Sequence, residues 1–202
     1  MNKNMLVIAA HPDDAEFTSG GSLARWISEG WAVSLIICSD GGKGSQSSED
    51  DPAVLTKTRQ TEQEASSHLL GICEVIWLGY PDGQLSQVAI QLEEQLTYLI
   101  RKYRPDRLLA WDAWRPYQLH PDHRTAGQAA MDAILSAGNP HFYPEQLQLT
   151  PGLQPHRWER FTCSGQTSRM NGWISQPPLS GRWPLSNAIG VRLSHCVTWR
   201  YR

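Results

Sequence analysis

The stretch Met5–Asp14, MLVIAAHPDD, decides the fold. Its apolar residues, Met5 to Ala10, run without a polar interruption and end on His-Pro-Asp-Asp. An unbroken apolar run of this length reads as a strand buried on both faces, the pattern of a parallel sheet covered by helices. Working outward, SLARWISEG follows Gly20 and Gly21 with a short helical pattern closed by Gly30. AVSLIIC at Ala32–Cys38 is a second buried strand, and a loop rich in Gly, Ser and Asp follows it. Leu55–Leu70 has a polar-faced helical pattern stopped by Gly71, Cys73–Leu78 is a third strand, and Tyr80–Gly83 (YPDG) is a turn. Val88–Tyr103 is amphipathic at helical spacing and is terminated by Pro105. Arg107–Trp111 (RLLAW) is a fourth strand, and His120–Leu135 opens a helix with a proline. Strands alternating with helices imply an α/β fold: a mostly parallel, doubly wound sheet with helices on both faces. In such sheets ligands bind beyond the carboxyl ends of the strands.

The remaining composition narrows the function. A chain of 202 residues fits one domain with a real core. A net charge of -2 argues against a general nucleic-acid binder, which carries a basic excess. No stretch is long enough to span a bilayer, and the apolar run at the start is too short for a signal segment, so a cytoplasmic protein is expected. Cys38, Cys73, Cys163 and Cys196 have no C-x-x-C spacing and read as free thiols, with Cys38 and Cys73 acting as small buried hydrophobes.

Two clusters carry chemistry. His11-Pro12-Asp13-Asp14 sits just past the first strand, and His120-Pro121-Asp122-His123 starts a helix after the fourth. Imidazole and carboxylate are the usual zinc ligands outside thiolates. Two adjacent carboxylates do not easily serve one ion, so one should hold the metal and the other face the substrate. Proline suits the first helical position, and residues i and i+3 share a helix face, so His120 and His123 can point one way. Two such clusters on one sheet edge supply three ligands with a position left open for water, the arrangement of a catalytic zinc. Spacing does not say which of His120 and His123 binds the ion.

The segments AHPDDAEFTSGGSLA and HPDHRTAGQAAMDAI resemble the LmbE/PIG-L family of zinc-dependent de-N-acetylases. The similarity runs on through Arg59, Glu62, LLGICEVIWLGYPDGQL, NPHFYPE and PHR at Pro155–Arg157. The resemblance implies a Rossmann-like sandwich over residues 1–160, with His11, Asp14 and His123 as metal ligands. It implies Asp13 as general base and His120 as the group that stabilises the oxyanion or protonates the leaving amine. Asp122 is expected to orient His120. Zn2+ is the implied cofactor, and Fe2+ or Co2+ would fit the same ligands. The expected substrate is a small N-acetylated molecule, an amino sugar above all; a homo-oligomer is left open. Arg59, Asp82, Arg115 and Tyr117 are candidate substrate contacts, and Glu16 a supporting residue. Loops 41–52 and 112–119 should select the substrate.

Two rival readings stand beside this one. The same centre could cleave a non-sugar or thiol-conjugate amide, or the fold could be a non-enzymatic small-ligand binder, which would have no need of a base such as Asp13. The GGKGS loop lacks the spacing of a phosphate-binding loop. Gly20 and Gly21 are expected to allow close helix–strand packing. His68, His141, His156 and His195 read as surface or core histidines. Residues 161–202 form an atypical segment, not a separate domain: after Glu159 there is no Asp, Glu or Lys, yet six Arg occur. No helix is expected across Pro184–Trp199. From the cysteine spacing, all four thiols should react with a thiol reagent after denaturation without reductant; an intramolecular disulfide found by mass spectrometry would contradict this.

Overall fold

The computed structural model describes residues 3–157 and, beyond them, the backbone of three short strands. The elements run β1 (Asn4–Ala9), α1 (Asp14–Ser28), β2 (Ala32–Ser39), α2 (Pro52–Leu70), β3 (Glu74–Tyr80), a 3-10 turn (Leu85–Val88), α3 (Ala89–Tyr103), β4 (Arg107–Trp111), α4 (Pro121–Gly138) and α5 (Pro144–Leu149). The strands β5 (Phe161–Ser164), β6 (Ile174–Ser175) and β7 (Trp199–Arg200) follow. The order in the sheet is β3-β2-β1-β4-β5-β6-β7. Neighbours from β3 to β5 are parallel; β6 is antiparallel to β5 and parallel to β7. The expected α/β sheet is therefore present, and β5 carries it past residue 160.

The apolar run of β1 is continuous because both of its faces are covered. Leu6 and Ile8, with Ile36 and Cys38 of β2, pack against Leu92, Leu96 and Ile100 of α3 and Ala126, Ala130 and Ala133 of α4. Met5, Val7 and Ala9, with Val33, Leu35 and Ile37, pack on Leu23 of α1 and beneath Trp26 and Ile27. Chain order reverses between β1 and β4, so a crevice opens where their carboxyl ends part, and both His-Pro-Asp clusters lie there.

Three expectations change. α1 begins at Asp14, not after Gly20 and Gly21, with Asp14 and Glu16 in its first turn, where acidic groups suit the helix dipole. A Cβ on either glycine would meet nothing within 4 Å, so neither serves close packing. Cys38 is a buried thiol, whereas Cys73 is exposed because it stands between α2 and β3 rather than inside the strand. Both are unpaired. The Cys163 and Cys196 side chains, His195 and the Pro184–Trp199 stretch, apart from the Trp199 backbone, lie outside the described residues.

Two buried contacts set α4. The Arg101 side chain is 1% exposed and donates to the carbonyls of Ser136, Ala137, Asn139, Phe142 and Tyr143, satisfying the carboxyl end of α4 and the loop beyond it. Near the other end, a Cβ on Gly127 would stand 2.5 Å from the Trp111 carbonyl oxygen and 3.0 Å from the Ala113 nitrogen. Only glycine lets α4 close on the end of β4, and the same helix begins at the second His-Pro-Asp cluster. Gly127→Ala should force α4 outward and cost about 1–3 kcal/mol; chemical denaturation measures it, and an unchanged midpoint would refute this account of the packing.

Candidate metal centre and active site

The first cluster is shaped by the turn that joins β1 to α1. Asp14 is buried, and its Oδ2 accepts from the backbone N–H of Ala10 at 3.0 Å, that of His11 at 2.8 Å and the indole N–H of Trp111 at 3.1 Å. Its Oδ1 lies 3.2 Å from Nε2 of His123. His11 Nδ1 stands 3.1 Å from the same His123 nitrogen and 3.6 Å from Asp14 Oδ2. On the other side of the ring, His11 Nε2 lies 3.0 Å from Asp82 Oδ1 and 3.4 Å from Asp122 Oδ2. These are ion-pair contacts; no acceptor is aligned with an N–H at Nε2.

Electrostatics follow from that geometry. Burial alone would lower the His11 pKa, but Asp14 and Asp82 outweigh it and raise it to about 10. Burial would likewise raise both carboxylates. His11 and His123 instead hold Asp14 well below the usual carboxylate range, and His11, helped by the Lys43 N–H, brings Asp82 down to about 2. The carboxylates gathered around His11 make this a place suited to a cation.

The donor spacing fits a metal. A tetrahedral ion with ligand bonds of about 2.0–2.1 Å needs donors roughly 3.3 Å apart. His11 Nδ1 lies 3.1 Å from His123 Nε2, His123 Nε2 lies 3.2 Å from Asp14 Oδ1, and His11 Nδ1 lies 3.6 Å from the other oxygen, Asp14 Oδ2. The nitrogens of His11, His120 and His123 also gather within 4.8 Å, as do donors of His11, Asp82 and Asp122. His123 is framed by two side chains. Its ring stacks on Trp111 with centroids 4.0 Å apart and planes 10° from parallel, and the Gln118 side-chain amide lies 2.5 Å from its Nδ1.

Asp13 is held apart from its neighbour. Its backbone is left-handed, φ 78°, which a non-glycine residue adopts at a cost. Two residues one turn apart on α2 grip it there. Arg59 donates to the Pro12 carbonyl at 2.8 Å, the Gly41 carbonyl at 2.8 Å and the Asp13 carboxylate at 3.2 Å. Gln63, buried, accepts the Asp13 N–H at 2.7 Å and donates to Glu16 at 2.6 Å. Glu16 accepts from both Gln63 and Ser66. Burial raises the Asp13 carboxyl, Arg59 opposes this and Asp14 adds to it.

The other candidates are placed as follows. His120 is exposed, with its ring 4.4 Å from that of His11. Its Nδ1 accepts the Asp122 backbone N–H at 3.3 Å, so the neutral ring carries its proton on Nε2. Burial, then the charges of His11 and His123, push its pKa down. Asp122 thus meets His120 through its main chain and not its carboxylate. Its carboxylate accepts from Gly83 N–H at 2.7 Å and Leu85 N–H at 3.1 Å, because those donors crown the buried start of α4. Asp82 is 5% exposed and engages His11 and the Lys43 N–H, and the Arg59 guanidinium is taken up by the turn, so both are occupied within the protein. Arg115 is partly buried and Tyr117 exposed, on the loop between β4 and α4. His68 and His141 are exposed, and His156 is buried against the Pro105 carbonyl.

Gln63, Trp111 and Gln118 are site residues that the sequence reading passed over. Gln118 had one faint signal, its place two residues before His120.

Residues 6–134 match the family described as GlcNAc-PI de-N-acetylase, PIG-L. The chain is 33% identical over 154 residues to the diacetylchitobiose deacetylase of Thermococcus kodakarensis, covering 76% of this chain and 57% of that protein. It is 28% identical over 163 residues to a 1D-myo-inositol 2-acetamido-2-deoxy-alpha-D-glucopyranoside deacetylase of Saccharopolyspora erythraea, covering 69% and 59%. It superposes on the N,N'-diacetylchitobiose deacetylase of Pyrococcus horikoshii with a TM-score of 0.77 and 31% identity, over 82% of this chain and 61% of the other. The chain therefore spans less than two thirds of the length of these relatives.

If Gln63 holds the left-handed turn, Gln63→Leu should remove the acceptor of the Asp13 N–H without removing bulk. A loss of about 1–3 kcal/mol in unfolding free energy is expected; a change below a few tenths would show that Gln63 bears no load there.

Proposed function

Because the chain belongs to the GlcNAc-PI de-N-acetylase family, we propose that it is a metal-dependent hydrolase that removes the acetyl group from the nitrogen of an amino sugar or a related small molecule. The observation that carries this is the convergence of His11 Nδ1 on His123 Nε2 at 3.1 Å and of His123 Nε2 on Asp14 Oδ1 at 3.2 Å, beside a second carboxylate on a strained turn. These three residues are the ones that would hold the ion, with Zn2+ the best match to two imidazoles and a carboxylate. When bound there, the cation supplies Lewis acidity that activates water and polarises the amide carbonyl.

The protein's own groups carry the protons. The Asp13 carboxylate, turned away from Asp14 by its left-handed backbone, takes the proton of the attacking water and passes it to the departing amine. Arg59 keeps that carboxylate in place and Gln63 keeps its backbone in place. Nε2–H of His120 donates to the oxyanion that forms as the carbonyl becomes tetrahedral. The main-chain N–H of Asp122 fixes this tautomer, so the donor exists without a full charge on the ring. Were Nε2 of His123 engaged as a ligand, its Nδ1 would carry the proton, and the Gln118 amide, whose nitrogen faces Nδ1 here, would turn its oxygen to accept it. Arg115 and Tyr117 remain the proposed substrate contacts, on the loop that borders His120.

The two adjacent aspartates separate binding from chemistry. Asp14→Ala should lose metal and acetate release together. Asp13→Ala should keep near-stoichiometric metal and lose about 10²–10⁴-fold in kcat. His120→Ala should also keep metal and lose rate. Elemental analysis beside acetate release from a panel of N-acetyl sugars and non-sugar acetamides reads all three. Metal lost from Asp13→Ala and kept by Asp14→Ala would reverse the roles; near-full activity in both Asp13→Ala and His120→Ala would overturn the mechanism.

A further inference from the structure

Trp111 touches both ends of the proposed ligand set. It is the last residue of β4 and is 6% exposed. Its indole N–H donates to Oδ2 of Asp14 at 3.1 Å, and its ring lies flat on His123. Its carbonyl oxygen is also the atom that Gly127 must clear for α4 to close. One side chain thus links the start of α1, the end of β4 and the first turn of α4.

A buried tryptophan needs an acceptor for its N–H, and a backbone carbonyl would serve. Here the acceptor is a buried carboxylate 97 residues away, on an oxygen that already accepts two backbone N–H groups. Three donors leave Oδ2 with no lone pair to spare. Oδ1, which faces His123 Nε2 at 3.2 Å, is then the oxygen left to bind an ion. The stacked ring acts on the second ligand: with planes 10° from parallel, the imidazole cannot tilt its Nε2 away from Oδ1 without leaving the indole face.

We propose that Trp111 is the positioning residue of the metal centre, committing Asp14 to bind through Oδ1 alone and holding the plane of His123. This rests on the metal reading of the site. A residue of this kind governs affinity for the ion, since side chains that orient ligands typically change it about 10–100-fold. A residue that only filled the core would change stability and leave the affinity of the folded protein alone.

The test is zinc affinity of the folded protein, measured by competition with a chromophoric chelator, with the melting temperature of the metal-free form alongside. Trp111→Phe keeps an aromatic face and removes the N–H; Trp111→Leu removes both. Zinc should bind about 10–100-fold more weakly to Trp111→Phe and more weakly still to Trp111→Leu. Wild-type affinity in a folded Trp111→Phe, even with a lowered melting temperature, would overturn the proposal. A wild-type protein that binds no zinc would instead bring down the metal reading itself. Should the variants not fold, wild-type protein with 15N in its nine indoles replaces them. One indole N–H should resist solvent exchange and shift on zinc addition; no resonance doing both would overturn the proposal equally.

Discussion

Oδ2 of Asp14 accepts three N–H groups at once, and the centre is built outward from that oxygen. A carboxylate buried at the end of a parallel strand is costly unless it is paired and hydrogen-bonded. Here the backbone that leaves β1 supplies two of the donors and a side chain of β4 supplies the third. Their number orients the carboxylate, and its orientation leaves Oδ1 facing the His123 imidazole while Oδ2 lies 3.6 Å from His11 Nδ1. The crossing of chain order between β1 and β4 makes this meeting possible, because only at that switch point do two strand ends part and leave room for a site.

A second constraint acts on the neighbouring residue. Asp13 and Asp14 are chemically alike, and what separates them is backbone conformation. Asp13 takes a left-handed φ, so its side chain leaves the cluster that Asp14 joins. The strain is held by Arg59 and Gln63, four residues apart on α2, which present two polar groups to the same turn. The helix is in turn set by an Asp51 N-cap and a proline in its first turn. A polar-faced helix that looks unremarkable by periodicity is therefore the frame of the proposed base.

Around the ion site the carboxylates have distinct duties. Asp82 pairs with His11 on the side away from His123, and Asp122 ties the 83–85 turn to the start of α4. The two acids meet at His11 Nε2, so the loop after β3 and the start of α4 brace the same imidazole from behind. The exposed rim is where specificity is proposed to lie. Trp114, Tyr117 and Leu119 are exposed on the loop that leads to His120, and Tyr117 takes a left-handed backbone there.

The sequence by itself determined the sheet, because two-sided burial writes an uninterrupted apolar run of strand length in β1 and one broken only by Ser34 in the core of β2. It also showed the candidate ligand types: each His-Pro-Asp cluster is local, and both its proline and its spacing are visible in a few residues. The start of α1 was hidden, since Gly20 and Gly21 weaken a helical pattern that solvent-facing positions nevertheless tolerate. Tertiary structure alone decided which acid does what. Asp82 reads as a turn residue until the turn is seen against His11, and Trp111 reads as the end of a strand until its N–H is seen on Asp14. Gln63 lies 50 residues from the amide it accepts, and His123 lies 112 residues from His11. Periodicity and motif spacing report on neighbours along the chain, whereas these roles come from hydrogen bonds between segments that only the folded sheet brings within 3 Å or so of each other.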